Sequence, residues 1–263
     1  MSAPEPRKRP EKEMLRGEAT RRRIKLAARK LFAIRGLDVP IRDIVKTAKQ
    51  KNSGSISYYF HSKDNLIKEL IFDTANLLDE EHNRRLDEAE SAGGPSCIRD
   101  VVDILIHSPT IDSPGKVKDD YGLRFLNMAM INHRDLVFEA LQGGVDRGTR
   151  RCLAHLRRFS PDLPEPLIQQ RLMLVIMYLF AVASSREAAR DRPDVWRNLW
   201  GHPAARDNLI DTVEGMLTQR PSAHTLASIG RPPDIQPQAK TTSAKDPSPI
   251  KQPRSLANSK APF

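Results

Sequence analysis

A short run of hydroxyl-bearing side chains is the part of the sequence best suited to binding chemistry. Ser53, Ser55 and Ser57 occupy alternate positions, and Tyr58 follows them directly. Small hydroxyl groups allow close approach and form hydrogen bonds with the base edges or the phosphates of DNA. Three lysines bracket the run, namely Lys49, Lys51 and Lys63. These residue types together suit contact with a polyanion.

Two short helices joined by a tight turn are predicted to position this run. Pro40 favours a helix start at the next residue, and the apolar pattern extends that helix to about Ala48. The polar stretch KQKNSGS ends it, after which Asn52 or Ser53 can cap a helix that closes at Phe60. Two such helices after a basic one have the layout of a helix-turn-helix, whose second helix enters the major groove. The alternative is an ordinary helical hairpin with a solvated serine face.

Positive charge is concentrated at one end of the 263-residue chain. The whole sequence has 43 Lys and Arg against 33 Asp and Glu, a net charge of +10. Residues 1–63 hold 17 basic and 6 acidic side chains, whereas residues 64–220 hold 20 and 25. A basic quarter on a mildly acidic body indicates that one end binds a polyanion, with nucleic acid the leading candidate. A basic face without a partner is the alternative, but the charge and the hairpin together favour DNA.

The sequence around the hairpin resembles the N-terminal DNA-binding domain of the TetR family of bacterial transcriptional regulators. The resemblance covers about residues 18–72 and rests on LF-x-x-x-G, RDIVKTA and YYFHSKDNL. It implies that Tyr58 and Lys63 hold backbone phosphates and that Phe60 locks the reading helix into the core. It also implies two further groups: Ser53, Ser55 and Ser57 toward the bases, and Arg21 and Arg22 near the phosphates or the minor groove.

The sequence departs from the family pattern at two places that bear on DNA contact. Pro40 stands where the family often has Ser or Thr, so a hydroxyl contact to phosphate is lost there. Lys49 replaces the usual Gly after the second helix, and the KQKNSGS turn is one residue longer than the commonest form.

The rest of the chain is predicted to be helical, which makes the fold all-α with about nine helices. No segment shows the period-two alternation of a half-buried strand. The predicted helices span residues 18–35, 41–48, 53–60, 63–90, 97–107, 118–132, 134–159, 165–190 and 203–219. Gly36 is predicted to cap the end of the first helix, and Ser62 the start of the fourth. The predicted domains are a disordered basic arm (1–15), a helix-turn-helix domain (16–62), a helical regulatory and dimerisation domain (63–220) and a disordered tail rich in Pro and Ser (221–263).

A homodimer is expected because residues 165–219 carry more apolar surface than one subunit covers. The family resemblance implies that the last two helices pair with their counterparts as an intersubunit four-helix bundle. A buried helix in a monomer is the alternative. A two-fold dimer would read a near-palindromic double-stranded DNA operator.

A small apolar or amphipathic effector is expected to bind within residues 97–180. Soft and aromatic side chains there suit a roomy apolar cavity with a few polar groups. Taken individually, each of them is more often a core residue than a ligand contact. The candidate lining residues are Tyr121, Phe125, Met128, His133, Met173, Met177 and Phe180.

Catalysis, a cofactor and a bound metal are not expected. The sequence lacks G-x-G-x-x-G, P-loop, G-x-S-x-G and H-E-x-x-H motifs, and Cys97 and Cys152 have no metal-ligand spacing. The longest apolar run, from Leu172 to Ala183, is 12 residues, so no membrane span is predicted, and the charged N-terminus does not suit export. We therefore expect a ligand-responsive repressor in the bacterial cytoplasm, associated with the nucleoid. The alternatives are a helical small-molecule carrier whose basic head associates with anionic surfaces, and an enzyme with an unfamiliar helical site.

Overall fold

The computed structural model describes residues 9–107, 121–142 and 144–229, except for the side chains of 9–13 and 197. Every regular element among these residues is helical, so the all-α prediction is confirmed. The helices are α1 (Arg9–Arg35), α2 (Ile41–Thr47), α3 (Gly54–Phe60), α4 (Lys63–Ser91), α5 (Ile98–Ile106), α6 (Gly122–Asn132), α7 (Arg134–Ala140), α8 (Arg147–Arg158), α9 (Glu165–Ala188), a 3₁₀ turn (Ala189–Asp191), α10 (Pro193–Trp200), α11 (Ala205–Thr218) and α12 (Ala223–Ser228).

Helices α1 to α3 and the start of α4 form the head of the molecule. Ile24, Phe32, Ile44 and Phe60 are fully or almost fully buried in its core. α1 ends at the predicted glycine cap, where Gly36 has a φ of 81° and its amide donates to the Phe32 carbonyl at 2.9 Å. The apolar spacing of the sequence therefore predicts the head correctly.

Both predicted disordered ends contain helix. α1 begins at Arg9 instead of residue 18, so residues 9–15 of the predicted arm extend it. The segment from Glu11 to Thr20 is rich in good helix formers, and a packed helix propagates into such a sequence at little cost. Ala223–Ser228 is helical within the predicted tail and belongs to a separate unit of the chain. Residues 1–8 and 230–263 lie outside the described residues.

Two further helix predictions are corrected. The predicted helix 134–159 is two helices, α7 and α8, and the break contains Gly144 with a φ of 83°. The stretch predicted as a loop after residue 190 contains α10, which starts at Pro193 and spaces Val195 and Leu199 four residues apart. Proline at the first helical position and apolar residues at i and i+4 both favour a helix. The predicted start of helix 118–132 lies outside the described residues, which resume just before α6.

The body of the molecule packs around α4, the long helix that also joins the head. Leu86 of α4, Val102 of α5, Leu156 of α8, Val175 of α9 and Val213 of α11 share one buried cluster. α6 contacts both regions. Its Phe125 ring packs against Phe32 of α1, with 6.1 Å between the ring centres.

A buried glutamate at the end of α9 fixes the start of α6. The Glu187 carboxylate, only 3% exposed, accepts hydrogen bonds from the backbone amides of Leu123 and Arg124 at 3.0 and 3.1 Å. A carboxylate at a helix N-terminus satisfies its free amides and complements the helix dipole. α6 is therefore held by the body at its start and packs against the head along its length.

The segment Glu165–Asp191 is long and apolar enough to cross a membrane by length and composition. Core helices of soluble proteins pass the same test, and this segment is packed into the body through Leu172, Val175 and Leu179. Only 28% of its most apolar window is buried within this chain. Three of its apolar side chains, Met173, Leu174 and Met177, are more than half exposed and face outward.

Candidate DNA-binding surface and effector cavity

The turn before α3 is built by Asn52. Its side-chain Oδ1 accepts from the Gly54 amide at 2.9 Å, whereas Ser53 makes no side-chain cap. Of the two predicted caps, Asn52 is therefore the one used. Ser55 Oγ donates to the Asn52 carbonyl at 2.7 Å, so its hydroxyl is bound to the backbone of the turn.

The two sides of α3 differ in the way that a reading helix requires. Ile56 and Phe60 are 1% exposed and anchor the helix in the head core. Ser53, Ser57 and Tyr58 are exposed on its other side, and 77% of Tyr58 is accessible. The predicted hydroxyl face therefore exists, with Ser53 and Ser57 more accessible than the half-buried Ser55.

The lysines that bracket α3 sit in different surroundings. Lys49 and Lys51 are exposed in the turn, and Lys49 has a φ of 54°, a left-handed conformation that favours glycine. Lys63 is half-buried at the first position of α4, with its Nζ 5.9 Å from the centre of the Phe32 ring. Ser62 caps that helix as predicted, accepting from the Asn65 amide at 3.1 Å.

The two predicted arginine contacts on α1 are not equivalent. Arg22 is exposed to solvent. Arg21 forms an ion pair with Glu69 of α4, and its guanidinium lies 5.0 Å from the centre of the Phe60 ring. Arg21 therefore ties α1 to both α3 and α4 in the free protein.

The described elements are all helical, and the packed α2–α3 hairpin with an exposed hydroxyl face between cations has the layout of a helix-turn-helix DNA-binding protein. The family model described as "Bacterial regulatory proteins, tetR family" matches residues 24–70, which include α2, α3 and the start of α4. The match assigns this head to the TetR family of DNA-binding transcriptional regulators.

GusR of Salmonella enterica is a similar solved structure at 20% sequence identity and a TM-score of 0.44, covering 75% of this chain and 95% of GusR. A search of curated proteins finds no match.

A cavity of about 60 Å³ lies between α4, α5, α6, α8, α9 and α11. Apolar side chains line most of it, and Thr149, His107 and Arg186 contribute polar groups. Sites for drug-sized ligands usually measure about 300–1,000 Å³. The cavity is apolar with a few polar groups, as predicted, but it is small instead of roomy.

The structure does not bring the seven predicted effector residues together. Phe180 lines the cavity, whereas Met173 and Met177 are 62% and 52% exposed on α9. The other four lie on the side of α6 that faces the head or at its ends. Tyr121, Phe125 and Met128 pack with the head cluster, and His133 separates α6 from α7.

Two histidines beside the cavity have partners that the sequence does not reveal: its spacing gives His107 no carboxylate partner and gives no reason to select His82. His82 of α4 is buried, and its Nδ1 lies 3.2 Å from Thr149 Oγ1 of α8. His107 Nε2 lies 3.4 Å from the Glu81 carboxylate. Burial lowers the pKa of His82, because the charged imidazolium is poorly solvated there. The histidines are scattered along the sequence, so their spacing gives no sign of this cluster.

Among the described residues, no three His, Cys, Asp or Glu side chains come together in a way that would hold a metal ion. Cys152 is buried, and its burial raises the pKa of its thiol to about 12. That thiol is therefore poorly suited to nucleophilic chemistry or metal binding.

Proposed function

We propose that the protein is a dimeric, sequence-specific transcriptional repressor that a small apolar or amphipathic ligand releases from DNA. The observation that carries DNA reading is the exposed hydroxyl face of α3. The TetR-family head supports the class of DNA-binding regulator. We assign Ser53 and Ser57 to base edges, and Tyr58, Lys63 and Arg22 to phosphates, with Lys49 and Lys51 beside them.

Selection of binding sites from random duplex DNA with the purified protein tests sequence reading directly. We expect a near-palindromic motif whose half-sites lie about one helical turn apart, since a two-fold dimer presents α3 twice. Ser57→Ala should change the preferred bases, because Ser57 is exposed. Ser55→Ala is the matched control and should keep the motif, because the Ser55 hydroxyl is bound to the Asn52 carbonyl. Retention of only sequence-independent binding would contradict the proposal.

The outward face of α9 supports the dimer. Met173, Leu174 and Met177 are 62%, 54% and 52% exposed and lie within about one turn of a long helix of the body. Contiguous exposed apolar side chains on a soluble protein mark an interaction surface. We assign a second copy of this chain to that surface, because a protein that reads two half-sites must hold its two heads at a fixed separation.

Sedimentation equilibrium tests the dimer, which should show twice the chain mass of 29.7 kDa. Met177→Glu should shift the protein to the monomer and weaken operator binding. Ile131→Glu places the same charge at another exposed apolar position, at the end of α6, and should leave the dimer intact. A wild-type monomer that still binds its operator would overturn the arrangement.

The ligand-carrier alternative receives little support from the cavity. A carrier needs a preformed space, and about 60 Å³ is small for that purpose. A regulator can instead open the cavity when the ligand binds. A bacterial cytoplasmic location near the nucleoid follows from the proposed DNA function.

A further inference from the structure

A ladder of ion pairs joins α1 to α4 beside the proposed reading helix. Arg21, Lys25 and Arg29 recur every four residues along α1, and Glu69 and Asp73 are four residues apart on α4. Residues four apart lie on one face of a helix, so the two rows meet along the seam. Three cations thus face two carboxylates.

The carboxylates of the ladder are shared between cations. Glu69 pairs with Arg21 and also lies 3.0 Å from Lys25 Nζ. Lys25 Nζ lies 2.7 Å from the Asp73 carboxylate as well. Glu69 therefore keeps a cationic partner if the Arg21 guanidinium moves away.

Arg21 is positioned to be exchanged. Its side chain is 40% exposed, and it lies against Phe60, the last residue of α3. The same guanidinium is therefore in contact with Glu69 and within reach of a partner that approaches α3.

We propose that Glu69 is a positioning residue that competes with DNA phosphate for Arg21. In the free protein, Glu69 holds the Arg21 guanidinium against Phe60. In the complex, Arg21 turns to a backbone phosphate and Lys25 neutralises Glu69. This inference rests on the proposed DNA binding.

The exchange favours phosphate for two reasons. A partly exposed ion pair within a protein contributes little net stability. An arginine on a phosphate forms strong charge-assisted hydrogen bonds and releases condensed counterions from the DNA. Glu69 thus reduces affinity for every duplex without preventing the contact.

A double-mutant cycle with Glu69→Gln and Arg21→Gln tests the competition. Glutamine at position 21 removes the charge but keeps a chain long enough to cover Phe60. Asp73→Asn is the matched control, since it removes a carboxylate from the same ladder without contact to Arg21. Binding of each variant to a fluorescein-labelled random-sequence duplex and to the selected operator is measured by anisotropy across a salt series, with thermal unfolding as the check on folding.

We expect the Glu69→Gln protein to bind both duplexes about two- to fivefold more tightly, because DNA no longer has to break an exposed ion pair of that strength. Arg21→Gln should weaken binding, and should reduce the magnitude of the log–log salt slope by about 0.9, the value for one phosphate contact. In the Arg21→Gln background, Glu69→Gln should give no further gain. Any gain from Asp73→Asn should be smaller and should add to the effect of Arg21→Gln.

Two results would overturn the competition while leaving DNA binding intact. A gain from Glu69→Gln that persists without Arg21 would reflect general charge. A loss of affinity in a folded Glu69→Gln protein would show that the pair only supports the head. If the wild type binds neither duplex, the proposed function itself is wrong and the competition is rejected with it.

Discussion

At the scale of single residues, the three serines of α3 differ in what their hydroxyls do. The sequence predicts Ser53, Ser55 and Ser57 as one group, because they are equally spaced and chemically identical. In the structure, Ser55 donates to the Asn52 carbonyl, while Ser53 and Ser57 face solvent. The sequence cannot separate them, because the difference depends on where the folded turn places the Asn52 backbone carbonyl.

The first prediction separates phosphate contact from base reading. Tyr58→Phe and Lys63→Ala should each weaken binding to the operator and to a random duplex by a similar amount, about 1 kcal/mol for a lost phosphate hydrogen bond. Ser53→Ala should cost affinity mainly for the operator and relax preference at one or two base pairs of each half-site. Binding-site selection and anisotropy on the three variants measure both effects. A changed motif for Lys63→Ala, or an unchanged motif for Ser53→Ala, would show that a different side of α3 faces the groove.

The second prediction concerns the stability contributed by buried His82. Burial lowers its pKa below the ordinary 6.5, assisted by His107 and opposed by the carboxylates of Asp79 and Glu81. The unfolded chain therefore takes up a proton at higher pH than the folded chain does. The His82 contribution to stability is complete above about pH 6.5 and is lost as the pH falls from there toward the folded pKa.

Urea unfolding at neutral pH and at a pH near 5.5 measures this loss. His82→Leu should lose less stability over this interval than the wild type. His202→Leu, at an exposed histidine, should retain the wild-type dependence. Equal pH dependence in the wild type and His82→Leu would show that His82 contributes nothing to acid sensitivity.

At the scale of helices, the crossing of α4 and α8 depends on one glycine. The amide of Gly148 donates to Asp79 Oδ1 at 2.6 Å. A Cβ added at Gly148 would lie 2.8 Å from the Asp79 carbonyl oxygen, 2.8 Å from His82 Cβ and 2.9 Å from the Asn83 amide nitrogen. Two of these atoms are backbone, so relief requires the helices to separate.

The third prediction is therefore that Gly148→Ala destabilises the body by roughly 1–3 kcal/mol, the usual cost of overpacking. Gly17→Ala is the matched control, because its nearest neighbour would be Tyr59 Oη at 4.0 Å and alanine is the better helix former. We expect the free energy of unfolding of that control to rise by up to about 1 kcal/mol. Urea unfolding of both variants provides the comparison. An unchanged free energy of unfolding for Gly148→Ala would mean that α8 can shift over α4 without cost.

The helices show where local sequence signals were sufficient. α2, the Gly36 cap and the Ser62 cap follow from local residue types and are confirmed. The sequence does not predict α10, because the prolines and the glycine at its ends are typical of a loop, although Val195 and Leu199 have a helical spacing. It does not predict the break before α8 either, because the apolar period continues across it and the positive φ of Gly144 is set by the folded backbone.

At the scale of the whole molecule, the cavity and the head are linked through α6. Leu123 of α6 lines the cavity, and Phe125, two residues on, packs with Phe32 in the head core. Glu187 of α9 holds the same end of α6. The sequence did not predict this arrangement, because Phe125 and Glu187 have long-range partners that no local pattern identifies.

The fourth prediction is that ligand binding in the cavity weakens operator binding, and that the operator weakens ligand binding by the same factor. A ligand must widen the small cavity, which displaces Leu123 and therefore α6. Anilinonaphthalene sulfonate, an amphipathic fluorescent probe, can be titrated into the protein with and without operator. Ala183 lines the cavity, so Ala183→Phe should fill it and weaken probe binding. Ala154 is exposed on α8, so Ala154→Phe should leave probe binding unchanged. The operator should weaken probe binding by about 5- to 150-fold, the usual range of allosteric coupling. Equal probe affinities with and without operator would contradict the coupling and would indicate a regulator that binds DNA constitutively.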